Sequence, residues 1–370
     1  MAARSPLVLL VALVLLAAGC TAERPASRPA SRPVEAAVDV GLDVDAPEAS
    51  LLALVVTPGA VERRVSVWQS RTDDGAWVLA LSDDGFATRR LLEVPAGTEV
   101  AALGAGRYAL REGWDATGFR VVGAAPGADR TVRVAGPPAP LGAGEALLSR
   151  GEPGRLRLVG VAADGRAHPV PAPRGLHEVS GAGTDRIAGL AFAGRKTYHW
   201  SEDGGATWRR SRLGRGTSPT FLARRVPTAS GQPHVVLEGS DGATLFPFVA
   251  LWRAPARGGP WTRTPIAPVP GRGRRDGHVT TTGGWMGADG EVRVLASVGP
   301  RSGMWRVAGG RLDRVRGDRP RVVGVPEVSP LLVETGAGVA PGAAVWVGGA
   351  PGEAWCTVDD GRHWTRFATR

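Results

Sequence analysis

The sequence predicts an all-β chain folded as a β-propeller of seven four-stranded blades. Three observations point there. The 370 residues include 53 glycines and 30 prolines, together about twice the usual share. That composition disfavours long helices and favours short strands joined by tight turns. No segment shows an amphipathic helical period with capping residues. A turn pattern recurs at intervals of 38 to 53 residues, and one four-stranded blade takes about 40–50. With 43% hydrophobic and 22% charged residues, the chain has the composition of a packed protein rather than a disordered one.

The N-terminus comes first. Met1–Pro6 carries Arg4, Leu7–Ala18 is an apolar run of 12 residues, and Gly19-Cys20 follows. A basic start, a short apolar run and small residues before a cleavage point form a secretory signal. The run is shorter than the roughly 20 residues of a membrane-spanning helix. Leu16-Ala17-Ala18-Gly19-Cys20 resembles a bacterial lipobox, with Ala17 where that motif prefers Leu. The resemblance implies lipidation of the Cys20 thiol and an extracytoplasmic protein anchored to the bacterial cell membrane by that lipid. Residues 1–19 are then signal peptide and residues 20–47 a lipidated tether. The unit Arg-Pro-Ala-Ser repeats between Arg24 and Pro33. Proline favours extended polyproline II, so about 20 such residues reach up to roughly 60 Å. At the end of this stretch, Val38–Val44 is expected to pair into the last blade.

Cys356 is the other of two cysteines. Once Cys20 carries lipid, neither an intramolecular disulfide nor a cysteine metal site is left to it. Trp355-Cys356-Thr357 reads as a strand with a buried, inert thiol.

The formal net charge is +10, and Lys196 is the one lysine among the basic residues. Arginine with abundant Ala, Gly, Pro and Val matches a GC-rich coding bias. A basic surface also attracts anionic partners, here an envelope polymer or an acidic protein surface. Nucleic acid is not an expected partner, because the export signal sends the chain out of the cytoplasm.

Residues 48–370 read as the propeller. Leu51–Thr57, Arg64–Gln69, Ala76–Ser82 and Arg89–Val94 are four strands, with Thr72-Asp73-Asp74-Gly75 turning the second into the third. Glu99–Leu103, Arg107–Arg111, Gly118–Val122 and Arg130–Val134 repeat the scheme. Ser201-Glu202-Asp203-Gly204-Gly205-Ala206-Thr207-Trp208 and Thr357-Val358-Asp359-Asp360-Gly361-Arg362-His363-Trp364 share the form Ser/Thr-x-Asp-x-Gly-x-x-Trp. In such a turn the carboxylate and hydroxyl accept backbone N–H bonds, the Gly takes a conformation other residues resist, and the Trp covers the hairpin.

These segments resemble the Asp-box, or bacterial neuraminidase repeat, of sialidase-like β-propellers. The resemblance implies that Ser201, Asp203, Gly205, Trp208, Thr357, Asp359, Gly361 and Trp364 are fold residues away from the ligand face. Weaker copies include Leu81–Phe86, which keeps Asp83 and Gly85 and places Thr88 in the Trp slot. The fifth box position gives Gly85, Gly127, Gly165, Gly205, Gly258, Gly309 and Gly361, at intervals of 42, 38, 40, 53, 51 and 52. Seven blades fit; six or eight stay open.

The same family includes sialidases, whose pattern has an early Arg-Ile-Pro-like motif, an arginine triad and a late Tyr nucleophile paired with Glu. The early motif is absent, and Tyr108 and Tyr198 are the two tyrosines. No local pattern marks a carboxylate pair, and the six histidines lack metal-ligand spacing. No cofactor and no metal is expected, and no catalytic residue is assigned. The family also holds photosystem assembly factors and sortilin-like receptors, which act by binding. The segments linking one blade's outer strand to the next blade's inner strand form a propeller's usual ligand face. They contain Arg174, Arg215, Arg272, Arg274, Arg275, Arg319 and Arg321. Trp285 and His278 lie close to the densest cluster, and Trp beside Arg is a common recognition pairing. The expectation is a non-enzymatic, extracytoplasmic binding or scaffold lipoprotein with an anionic ligand. The alternative is a glycan-active hydrolase or lyase.

Overall fold

A computed structural model describes residues 42–46, 49–57, 60–70, 76–113, 118–125, 127, 129–182, 186–191, 196–213, 222–226, 228, 233–239, 246–255, 259–267, 279–287, 289–298, 301–315, 331–332, 344–347, 353–357, 363 and 365–368. Among them there is no helix. The strands are β1 (Ala49–Thr57), β2 (Ala60–Ser70), β3 (Ala76–Ser82) and β4 (Arg90–Pro95); then β5 (Glu99–Gly104), β6 (Arg107–Arg111), β7 (Phe119–Gly123) and β8 (Arg130–Val134). Next come β9 (Ala146–Arg150), β10 (Arg157–Val161) and β11 (Arg166–Val170), then β12 (Leu176–Ala182), β13 (Arg186–Ala191), β14 (Thr197–Ser201) and β15 (Arg209–Arg212). They are followed by β16 (Leu222–Val226), β17 (His234–Gly239), β18 (Phe246–Ala254) and β19 (Thr262–Pro265), and by β20 (Val279–Met286), β21 (Val292–Val298), β22 (Arg301–Ala308) and β23 (Arg311–Arg314). The last are β24 (Leu331–Leu332), β25 (Ala344–Val347), β26 (Glu353–Thr357) and β27 (Thr365–Ala368). Within each of these groups, consecutive strands pair antiparallel. A short antiparallel pairing between β18 and β20 also ties two successive groups together.

The packing makes this a β-propeller. Apolar clusters lie between successive sheets in chain order. Val65, Leu79 and Leu81 of the first group meet Tyr108, Leu110 and Val122 of the second. Phe119 and Val121 meet Leu148, Val159 and Val161 of the third. Leu158 and Val170 meet Ile187 of the fourth. Leu190, Tyr198 and Trp200 meet Val236 and Trp252 of the fifth. Leu237 and Phe248 meet Val292 and Val294 of the sixth. Sheets stacked this way cover their middle strands on both faces. Accordingly β13 and β17 are buried at every residue, as expected of two-sided strands. The outer strand β15, Arg209-Arg210-Ser211-Arg212, is mostly exposed. Charged edge strands also resist pairing with other chains.

Of the expected Val38–Val44 strand, residues 38–41 lie outside the described residues, and Leu42 and Val44 lie in no strand: the chain turns at 43–46 and the two side chains pack on the first sheet, against Leu54, Trp68 and Phe86. The third group contributes three strands, not four. Its open edge is covered by β8, which pairs parallel to β11 through Arg133 and Val134, and by the run that follows. Gly136-Pro137-Pro138-Ala139-Pro140 cannot form a full ladder, because proline has no N–H to donate. The donors on either side of the prolines are used instead: Ala135 N bonds Ala167 O (2.9 Å) and Ala139 N bonds Pro169 O (3.0 Å).

Candidate functional site

The turn between β14 and β15 has the geometry its residue types require. Ser201 Oγ donates to Asp203 Oδ1 (2.7 Å) and accepts from Gly205 N (2.8 Å). Asp203 accepts from Thr207 N (2.8 Å) and Thr207 Oγ1 (2.5 Å). Burial alone would raise the Asp203 carboxyl, but the Thr207 and Ser201 hydrogen bonds outweigh it and hold it below its ordinary value. Gly205 has φ +94°, and a Cβ there would meet Val170 Cγ1 at 2.8 Å. Trp208 Nε1 donates to Pro171 O (2.9 Å) and stitches the turn to the preceding sheet.

The turn between β3 and β4 repeats this arrangement one residue later than the spacing suggests. Ser82 takes the hydroxyl role and Asp84, not Asp83, takes the carboxylate role, accepting from Thr88 N (2.9 Å) and Thr88 Oγ1 (2.7 Å). Phe86, at φ 69°, stands where Gly205 stands in the other turn. Arg89 falls in the Trp slot, so Thr88 is a turn donor. The left-handed Phe86 is held by burial and by Arg64, whose guanidinium lies 5.0 Å from its ring centroid.

A second set of groups lies where the β4–β5 and β11–β12 links meet the β9–β10 hairpin. Glu99 opens β5. Its Oε2 accepts from Arg111 Nε (3.1 Å), Ser149 N (3.2 Å) and Ser149 Oγ (3.1 Å), joining the second and third groups. Arg111 is buried and also donates to the carbonyls of Gly113 (2.5 Å) and Gly97 (3.5 Å). Burial pushes the Glu99 carboxyl up, and Arg111 and Ser149 offset this in part. Gly113 N donates to Thr98 Oγ1 (3.3 Å). Gly154, in the β9–β10 loop, donates to Leu176 O at the start of β12 (2.7 Å). The start of β5, the end of β9 and the start of β12 therefore share one end of their sheets. Arg174 lies there, exposed, in the link before β12.

Between the fourth and fifth groups, Tyr198 Oη lies 3.1 Å from His234 Nδ1, and His234 Nε2 lies 3.2 Å from Glu202 Oε1. Arg186 stands beside both. This order of hydroxyl, imidazole and carboxylate resembles a nucleophile and its base. Tyr198 is 1% exposed and His234 0%, enclosed by Trp200 and Trp261, so the line acts as an inter-sheet joint.

Of the predicted site residues, Ser201, Asp203, Gly205 and Trp208 come together in one turn, and Arg174 lies on the link end. Trp285 sits inside β20, 4% exposed and opposite Arg293. Thr357 ends β26. Cys20, Arg215, Arg272, Arg274, Arg275, Arg319, Arg321, Asp359, Gly361 and Trp364 lie outside the described residues, as does His278. Glu99, Arg111 and Ser149 were missed. They come from three strands, and no local spacing joins them.

No family model matches the chain, and no curated protein matches it. Among solved structures, the chain is similar to the β-propeller domain of the Trilobed protease from Pyrococcus furiosus, at 11% identity and a TM-score of 0.48, over 86% of this chain and 97% of that one. It is similar to YCF48 bound to a peptide, at 10% identity and a TM-score of 0.37, over 86% and 82%. It is also similar to Trypanosoma rangeli sialidase, at 15% identity and a TM-score of 0.35, over 70% and 55%. These neighbours are β-propeller proteins and include a sialidase. The likeness is distant, and the propeller assignment stands on the strand pairing and packing above.

Proposed function

We propose that the protein is a non-enzymatic, extracytoplasmic binding or scaffold lipoprotein, a seven-bladed propeller whose partner is anionic. One observation carries the reading. Where the β4–β5 and β11–β12 links meet the β9–β10 hairpin, the carboxylate of Glu99 is tied to Arg111 and Ser149, while Arg174 stays open. Other buried or half-buried carboxylates are matched too: Asp129 with Arg90, Glu238 with Arg263 and Glu145 with His168. At this end the exposed charges are Arg155, Arg157 and Arg174 against one acid, Glu152, a balance suited to holding an anion rather than to paired acid–base hydrolysis. The arginines at 215, 272, 274, 275, 319 and 321 extend this reading from sequence.

The test is recovery from envelope extracts with wild type and an Arg272→Gln/Arg274→Gln/Arg275→Gln variant, at low and high salt. Binding should fall with the variant and with salt, since exposed charges are screened beyond about 8 Å at physiological ionic strength. Identical, salt-insensitive recovery overturns it, and turnover of glycoside substrates by wild type favours the hydrolase. Lipidation is tested by palmitate labelling of wild type and Cys20→Ser; equal labelling of both rejects it.

A further inference from the structure

Arg150 ends β9 and Arg157 opens β10, and the two are direct partners across that antiparallel ladder. Directly opposed residues share a face, with Cβ atoms about 4.5–5.5 Å apart, and like charges there repel. The loop joining them carries Arg155. The Gly154–Leu176 hydrogen bond holds this loop against the β11–β12 link, which carries Arg174. Arg155, Arg157 and Arg174 are exposed and Arg150 is half-buried. None of the four makes an ion pair or a side-chain hydrogen bond with a described residue. Glu152, in the same loop, is exposed and pairs with none of them. Arg90, Arg111, Arg263 and Arg293, by contrast, each hold a carboxylate.

We propose that the β9–β10 hairpin and the β11–β12 link form a binding site for phosphate groups, such as those of a phosphodiester polymer. This rests on the anionic-partner reading and names the anion. A carboxylate presents one planar edge of two oxygens, which matches a single guanidinium fork. Two opposed guanidiniums, with two more exposed beside them, supply more donors than a carboxylate accepts. A tetrahedral phosphate has enough oxygens for two forks and relieves the repulsion between them. A chain of phosphates continues onto Arg155 and Arg174.

The experiment measures binding of pyrophosphate, and of hexaglutamate as a carboxylate control, to the full chain in detergent. Wild type is compared with Arg150→Gln/Arg157→Gln and with Arg210→Gln/Arg212→Gln, which removes two exposed charges from β15. Pyrophosphate should bind wild type and the β15 variant alike, and the hairpin variant at least tenfold more weakly. Equal weakening in both variants means diffuse attraction and overturns the site. Hexaglutamate binding as tightly as pyrophosphate overturns the phosphate assignment but leaves the anionic reading standing. Binding of neither anion removes both. Thermal melting gives an independent readout. The hairpin variant should melt higher than wild type without ligand, and pyrophosphate should raise the midpoint of wild type and of the β15 variant but not of the hairpin variant. A lower-melting hairpin variant would make the pair structural and overturn the proposal.

Discussion

Asp203 shows what a single side chain does here. Its carboxylate closes a turn through Thr207 and Ser201, and these bonds keep it ionised to lower pH than usual. Asp203→Asn should cost roughly 1 kcal/mol at pH 7, below the roughly 1.5–3 kcal/mol of a hydrogen bond to a charged group, because the site is exposed and Asn keeps one acceptor oxygen. A carboxylate with a lowered folded-state pKa stabilises above its unfolded value and loses that as pH falls. The gap between wild type and variant in urea midpoints should therefore close below about pH 4. This residue was legible in sequence because every part of the turn lies within eight positions. The β3–β4 turn was legible only to within one register. Spacing favoured Asp83 and Gly85; the structure uses Asp84 and tolerates Phe86 at positive φ because Arg64 packs on its ring.

Pairs of elements carry the information that sequence does not. Glu99 joins β5, β6 and β9, and Arg150 meets Arg157 across a six-residue loop. The latter was discoverable: Gly151-Glu152-Pro153-Gly154 marks a turn, and a hairpin there sets the two arginines in register. The former has no such signal. Glu99→Ala should cost about 2–4 kcal/mol, because buried Arg111 loses its carboxylate. Breaking the exposed Arg89–Asp45 pair should cost about 0–1 kcal/mol. Chemical denaturation of both variants checks the contrast. Ala139→Pro removes the N–H that reaches Pro169 O and should lower stability by about 1–3 kcal/mol. Pro138→Ala, which removes no donor, should cost less.

At the scale of the molecule, the first six sheets stack in chain order among the described residues, and composition with turn spacing made an all-β propeller readable from the sequence. Charge then governs its response to pH. Asp84, Asp203 and Asp289 all have lowered carboxyl pKa values, Asp289 to about 2 through its Arg293 hydrogen bonds. Their contribution is complete above about pH 4 and is lost as pH falls towards 2. His199 adds to acid lability: burial, and then Arg210, lowers its pKa, so its contribution is complete above about pH 6.5 and is lost as pH falls below that through its folded value. His168 acts oppositely. Burial would lower it, but the Glu145 hydrogen bond wins and raises it. Its contribution is full below about pH 6.5 and fades as pH rises past its folded value. Melting temperature should therefore change little near neutrality and fall steeply below pH 4, and a flat acid limb would contradict these assignments.

The parallel β8–β11 pairing bears on how such a chain can be copied and cut. By connectivity β8 belongs to the second sheet, yet its hydrogen bonds, and those of residues 135 and 139, complete the third. A recombination breakpoint in 135–145 would give each product an unfinished edge. The second and third sheets are thus joined edge to edge by backbone hydrogen bonds, whereas the first sheet, β1–β4, closes on its own antiparallel ladder and, among the described residues, meets its neighbour only through side chains such as Leu79 against Leu110 and Arg90 against Asp129.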